Sequence, residues 1–175
     1  MLRRILLSSA LSVALACVLQ AQTTNPLIAE SKRNYTAIKT NLVKAADKMS
    51  DDLYAYQPVP EIRTFAALMG HIADTQLGLC SSIRGERKRG DASNKTAKAD
   101  LVSAMAASFA ECDAAWDSLT DANAMDMVGQ RTKLGTMIYM TMHSDEEYGY
   151  ASVYMRLKSI VPPSSENTGR GPAKK

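Results

Sequence analysis

The sequence is poor in the residues on which recognisable chemistry is built. It holds two histidines in 175 residues, so any imidazole chemistry falls to His71 and His143. There is no glycine-rich phosphate loop, no serine nucleophile elbow and no Cys-x-x-Cys pair, which removes the common routes to nucleotide binding, triad hydrolysis and thiol redox exchange. No alternating apolar and polar run marks a β-strand. Beyond the first 21 residues no apolar stretch approaches bilayer-spanning length. Charge of one sign is missing too. The formal +3 comes from 21 basic and 18 acidic residues, and Arg3 and Arg4 lie in the leader, so the remainder is balanced to within one charge. No broad electrostatic grip on nucleic acid or a membrane surface is expected. The cluster Arg84, Arg87, Lys88 and Arg89 lacks the interleaved aromatics that stack on bases and reads as a solvated loop.

The first residues read as a leader. Arg3 and Arg4 precede an apolar run from Ile5 to Leu19, too short to span a bilayer comfortably, and Gln20-Ala21-Gln22 follows. This is the pattern of a secretory signal peptide over residues 1–21, cut after Ala21, with lipoprotein processing at Cys17 as the alternative. The mature chain is therefore expected to be exported, periplasmic or secreted. Its length suits one domain, expected over residues 25–161. From Pro162 the chain loses apolar periodicity and is rich in Pro, Gly and Ser, so residues 162–175 are expected to form an exit followed by a disordered tail.

Four helices are predicted. The first runs from about Pro26 to Met49, with Leu27, Tyr35, Ile38, Leu42, Ala46 and Met49 at three- and four-residue steps. Pro58 and Pro60 hold the following segment extended, after which Thr64 caps a second helix to about Arg84. Its apolar arc is Phe65, Leu68, Met69, Ile72, Leu79, Cys80 and Ile83. The third follows Thr96 and ends near Leu119, with Leu101, Val102, Met105, Phe109, Cys112 and Trp116 in one stripe. The fourth runs from about Lys133 to Ile160, stopped by Pro162 and Pro163. The class is all-α, most simply a four-helix bundle.

The two cysteines of the mature chain bear on topology. Cys80 lies 16 residues beyond Thr64 and Cys112 lies 16 beyond Thr96, so the two reach the same depth only if the second and third helices run parallel. The 11 residues from Gly85 to Lys95 can stretch to roughly 36–40 Å, against about 30 Å for a helix of some 20 residues. The connection can therefore cross the bundle, which predicts an up-down-down-up arrangement. In an oxidising compartment Cys80 and Cys112 either form a disulfide or stay as two buried thiols.

The chemistry concentrates on the fourth helix. His143 and Glu147 are one turn apart and project from one face, where they can reach the same metal ion. A helical wheel puts Tyr139, Met140, His143, Glu147, Tyr150, Tyr154 and Leu157 on the inner face, with Thr141, Asp145, Ser152 and Arg156 opposite. A buried carboxylate needs compensation, and a metal ion, a protonated imidazole or a tyrosine hydroxyl would each supply it. His71 falls at the margin of its helix's apolar arc. Asp74 falls nearly opposite the arc's centre and reads as a surface residue. Met137, Met140, Met142 and Met155 raise a Cu(I) thioether site, but their directions diverge and favour core filling.

Val59-Pro60-Glu61-Ile62-Arg63-Thr64-Phe65, Gly70-His71-Ile72-Ala73-Asp74, Ser108-Phe109-Ala110-Glu111-Cys112-Asp113, the run His143 to Gly149 and the run Tyr154 to Pro163 occur in an order and spacing that resemble the DinB-like family, in particular its exported bacterial branch. The resemblance covers the mature chain from about Asn25 to Ser165. It implies an up-down-down-up four-helix bundle and a divalent metal, commonly zinc or nickel, held by three histidines. Two of those positions are His71 and His143, and the third is Glu147, a departure from the pattern. A carboxylate can ligate zinc, nickel, iron or manganese, so the change either shifts metal preference or marks a decayed site.

Relatives of this fold include thiol S-transferases and thiol-dependent isomerases, in which a metal would hold and deprotonate a thiol. An exported chain lies outside the cytosolic pool of small thiols, which brings metal-assisted hydrolysis into competition. In either reaction a small molecule is the expected substrate, oriented by Tyr150 or Tyr154. A non-catalytic binding bundle is the rival reading. The Met- and Tyr-rich helix surfaces suit a homodimer interface as well as a substrate cleft.

Overall fold

The computed structural model describes residues 25–166. The expected signal peptide, with Ala21 and Cys17, lies outside the described residues, as does the chain beyond Glu166. Four helices carry the structure: α1 (Pro26–Lys48), α2 (Phe65–Ile83), α3 (Lys98–Asp117) and α4 (Lys133–Leu157). Three are capped by their own sequence. Asn25 accepts from the Leu27 amide with Pro26 in the first turn, Thr64 accepts from the Ala67 amide, and Thr132 accepts from the Gly135 amide. Among the described residues no helix is long and apolar enough to cross a membrane.

The topology is up-down-down-up. Ser108 donates to Gln76 Oε1 at 2.8 Å and Cys80 is bonded to Cys112, and each pair is separated by 32 residues in sequence, so α2 and α3 run parallel. α1 opposes α3, with Lys32 paired to Asp117 and the Tyr35 hydroxyl donating to Asp113 at 2.7 Å. α4 opposes α2: its Tyr154 reaches Arg63 before α2 begins, and its His143 meets His71. The bundle core is filled by Leu42, Met49, Met69, Ile72, Leu101, Met105, Phe109 and Trp116. Of the two alternatives left by the cysteines, the disulfide is the one present.

The parallel pair depends on the crossover between α2 and α3, which returns along α2 and packs on Gly70. A methyl group there would lie 2.5 Å from the Ala92 carbonyl oxygen, so only glycine admits the backbone. One turn later Asp74 accepts from the Ala92 amide at 2.9 Å, the Ser93 amide at 2.9 Å and the Ser93 hydroxyl at 2.6 Å. Asp74 is thus partly exposed and outside any ligand cluster, and its carboxylate is committed as the anchor of the crossover. The basic cluster needs a similar correction. Arg84 and Lys88 pair with Glu111, itself 8% exposed, at 3.3 and 2.7 Å, so half of the expected solvated loop neutralises a buried carboxylate of α3.

Other expectations on α4 and its flanks are corrected. The helix ends at Leu157, before the prolines: Ser159 turns to φ 61°, its amide bonds to Arg156 O and the Ile160 amide to Met155 O, a Schellman closure that normally uses glycine. Tyr139, Tyr150 and Leu157 are 40%, 52% and 56% exposed, while Thr141 is buried. The wheel centred the inner face on tyrosines, whereas α4 packs against both α1 and α2 along Met137, Thr141, Ser144, Tyr148, Ala151 and Met155. Met137, Met140 and Met155 fill the core and Met142 points outward, so no thioether cluster forms. A two-stranded ribbon, β1 (Met127–Val128) with β2 (Arg131–Thr132), precedes α4 and is too short to leave an alternating pattern. Pro163–Ser165 form a 3-10 turn in which the Ser164 amide donates to the Tyr148 hydroxyl at 2.9 Å, and Glu166 pairs with Lys48.

Joining positions 32 residues apart, the disulfide is expected to contribute about 3–4 kcal/mol by restricting the unfolded chain. Unfolding by denaturant should show a loss of that size in the Cys80→Ser, Cys112→Ser double variant. A thiol assay on unfolded, unreduced mature protein should find essentially none, and two thiols per chain would contradict the bond.

Candidate metal centre

Positions 71, 143 and 147 meet where α2 faces α4. His71 stands two turns into α2, next to the glycine over which the crossover closes, and His143 and Glu147 are stacked one turn apart on α4. His71 Nε2 lies 3.2 Å from His143 Nε2 and 3.4 Å from Glu147 Oε1, and His143 Nε2 lies 3.5 Å from the same oxygen. These three atoms make a nearly equilateral triangle. The point equidistant from its corners is about 1.9 Å from each, and raising it by no more than about 1 Å out of the plane gives the roughly 2.0–2.2 Å of Zn–N and Zn–O bonds. Two imidazole nitrogens and a carboxylate oxygen converging on one point suit a divalent ion better than a hydrogen bond, which joins two atoms along a line.

Burial and charge point the same way. The Glu147 side chain is 7% exposed, His143 15% and His71 31%. Three buried side-chain polar atoms lack a hydrogen-bond partner among the described residues, and two of them, His143 Nδ1 and Glu147 Oε2, belong to this cluster. The other is the Trp116 indole nitrogen. Burial, and after it the positive charge of Arg63, push His71 below the ordinary imidazole range against the pull of Glu147. The His71 ring is therefore neutral at neutral pH, which is the ligating form and leaves the buried carboxylate without a protonated imidazole from α2.

A buried polar ladder holds the two helices in register beside the cluster. Ser108 of α3 donates to Gln76 of α2, whose amide nitrogen donates to Ser144 of α4 at 3.2 Å. None of the three is more than 1% exposed. The sequence reading missed this ladder because Gln and Ser in a helix read as surface residues. A glutamine four residues before Cys80, with a serine four before Cys112, was the available signal.

Of the tyrosines expected to orient a substrate, Tyr154 commits its hydroxyl to the Arg63 carbonyl at 2.6 Å, and Tyr150 is exposed. Asp74 takes no part in the cluster. Arg63, quoted in the sequence only as part of a motif and given no role there, is the cation whose charge lowers the His71 pKa.

A family model described as the DinB superfamily matches residues 35–146, a span that includes both histidines and ends one residue before Glu147. Among solved structures, the fold is similar to the crystal structure of a DinB-like protein from Bacillus cereus ATCC 10987. The TM-score is 0.63 over 76% of this chain and 93% of that one, at 18% sequence identity. No curated protein matches the chain.

Separating ligation from support is direct. His71→Ala and His143→Ala are each expected to weaken zinc binding more than about a hundredfold in a chelator competition, beyond the usual effect of removing an outer-shell group. Asp74→Ala should keep zinc affinity within about threefold while losing about 1–3 kcal/mol of stability to denaturant. Equal losses of affinity in all three variants would mean general loosening of the bundle.

Proposed function

The chain belongs to the DinB superfamily, and from that premise we propose that it is an exported metalloprotein, processed after Ala21, that holds one divalent ion on His71, His143 and Glu147 and acts on a small molecule by hydrolysis or group transfer. The observation that carries the reading is the convergence of Nε2, Nε2 and Oε1 at 3.2–3.5 Å on the inner face of the bundle. Zinc, nickel, iron and manganese all accept this donor set.

Such an ion would supply a Lewis acid that brings the pKa of a bound water or thiol toward neutrality. The chain's own groups set the conditions. Glu147 brings one negative charge where a third imidazole would bring none, which offsets half of a divalent charge and favours harder ions and oxygen ligands. Burial of Glu147 and His143 keeps bulk water from screening them, and the more exposed edge of His71 leaves one side open to a substrate. The export leader removes the chain from the main pool of small thiols, so hydrolysis is favoured over thiol transfer.

The departure at Glu147 also supports a second reading, a lapsed centre in a bundle that only binds. Elemental analysis separates the two, using mature protein recovered from its export compartment without chelator or a histidine tag. About one divalent ion per chain is expected in the native protein and in Glu147→His, with loss in Glu147→Ala. A native protein without metal that gains it on Glu147→His would establish the lapsed centre. The intact mass should begin at Gln22, and a retained leader would contradict export.

A further inference from the structure

A groove of about 650 Å³ is lined by Glu61, Ile62, Arg63, Leu68, Tyr150 and Tyr154. It lies one helical turn along from the histidine and carboxylate cluster on both helices. Leu68 precedes His71 by three residues on α2, and Tyr150 follows Glu147 by three on α4, and side chains so spaced share a face. The walls are mixed in character: Ile62 and Tyr150 are 41% and 52% exposed, and buried Leu68 forms the floor.

Two charged side chains, Glu61 and Arg63, line this groove and neither is ion-paired among the described residues; Arg63 is the cation. Its guanidinium makes no ion pair or hydrogen bond with any described residue. Its backbone is nevertheless fixed, because the Tyr154 hydroxyl donates to its carbonyl and the Tyr154 ring packs against Tyr56 and Phe65 with centroids 6.1 and 6.2 Å away. The side chain thus starts from an anchored point just before α2, in the groove one turn along from the cluster. A planar guanidinium held on an apolar cleft is the arrangement that recognises a carboxylate bidentately.

We propose that this groove is the substrate cleft of the metal centre and that it selects small organic carboxylates, the acid group on Arg63 and an apolar body against Ile62, Leu68 and Tyr150. The inference rests on the metal-centre reading for where the reacting bond would lie. Glu61, in the same groove but not paired with Arg63, opposes an anion weakly through solvent.

The test is titration calorimetry of zinc-loaded mature protein with phenylacetate and with its neutral isostere phenylacetamide, on native protein, Arg63→Gln and Glu61→Gln, with zinc content measured in each. The acid is expected to bind native protein at least about tenfold more tightly than the amide. Arg63→Gln should remove that preference, leave amide binding within about twofold and leave zinc content unchanged, since Arg63 is exposed and not a ligand. Glu61→Gln should strengthen acid binding slightly. Acid binding that survives Arg63→Gln, or no preference for the acid in fully loaded native protein, overturns the proposal and leaves the metal centre standing. A native protein that takes up no zinc yet discriminates the acid through Arg63 fails the metal-centre reading and sustains the cleft.

Discussion

The structure depends on the crossover between α2 and α3 lying flat on α2. Gly70 supplies the space and Asp74, one turn on, supplies the acceptors that hold Ala92 and Ser93 in place. Once the chain has returned along α2, the third helix must start at the same end as the second, and the two run parallel. The disulfide and the Gln76–Ser108 bond then lock them at a shared depth. α4 has to close the bundle against α2 and α1 from the opposite direction, and this is what brings His143 and Glu147 opposite His71. The segment Gly70-His71-Ile72-Ala73-Asp74 therefore does two jobs at once: its first and last residues fix the crossover while the second faces the other helix.

The cost concentrated at the meeting of α2 and α4 is the buried carboxylate. An ionised group removed from water needs a partner of opposite charge, and of the two neighbouring imidazoles His71 is discouraged by burial and Arg63 from taking up a proton. Elsewhere in the bundle the same problem is solved within the chain, where buried Glu111 takes Arg84 and Lys88. Glu147 has no Lys or Arg within ion-pair distance among the described residues. A divalent ion at the equidistant point would compensate Glu147 and engage both imidazoles together, without rearranging any of the three side chains.

Much of this was legible in the sequence, for identifiable reasons. Helix periods, Thr64 and the prolines located the four helices, and two cysteines equally far from Thr64 and Thr96 gave the parallel pair, although α3 is capped at Ala97 without a side-chain bond. The four-residue step between His143 and Glu147 gave half of the centre. The other half was not readable from a wheel, because whether His71 faces α4 depends on the register between helices, set by Gln76, Ser108 and Ser144, whose polar side chains look like surface. The same limit explains two of the tyrosines of α4: the rings of Tyr139 and Tyr150 were placed on the inner face with Tyr154, which is buried, while small Ser144 and Ala151 take the remaining core positions. The bonds of Asp74 and Ser164 went unread because their partners are loop amides or hydroxyls, which leave no periodic trace. Ser159 shows that a helix can be closed by a left-handed residue before its downstream prolines are reached.

The account stands on one claim, that Nε2 of His71, Nε2 of His143 and Oε1 of Glu147 share one ion. Anomalous diffraction at the zinc edge from crystals of the zinc-loaded mature protein tests it most directly. The account requires a single strong peak between α2 and α4, about 2.0–2.2 Å from all three atoms. A peak bound elsewhere, or none at this point in a crystal whose other density is clear, would contradict it.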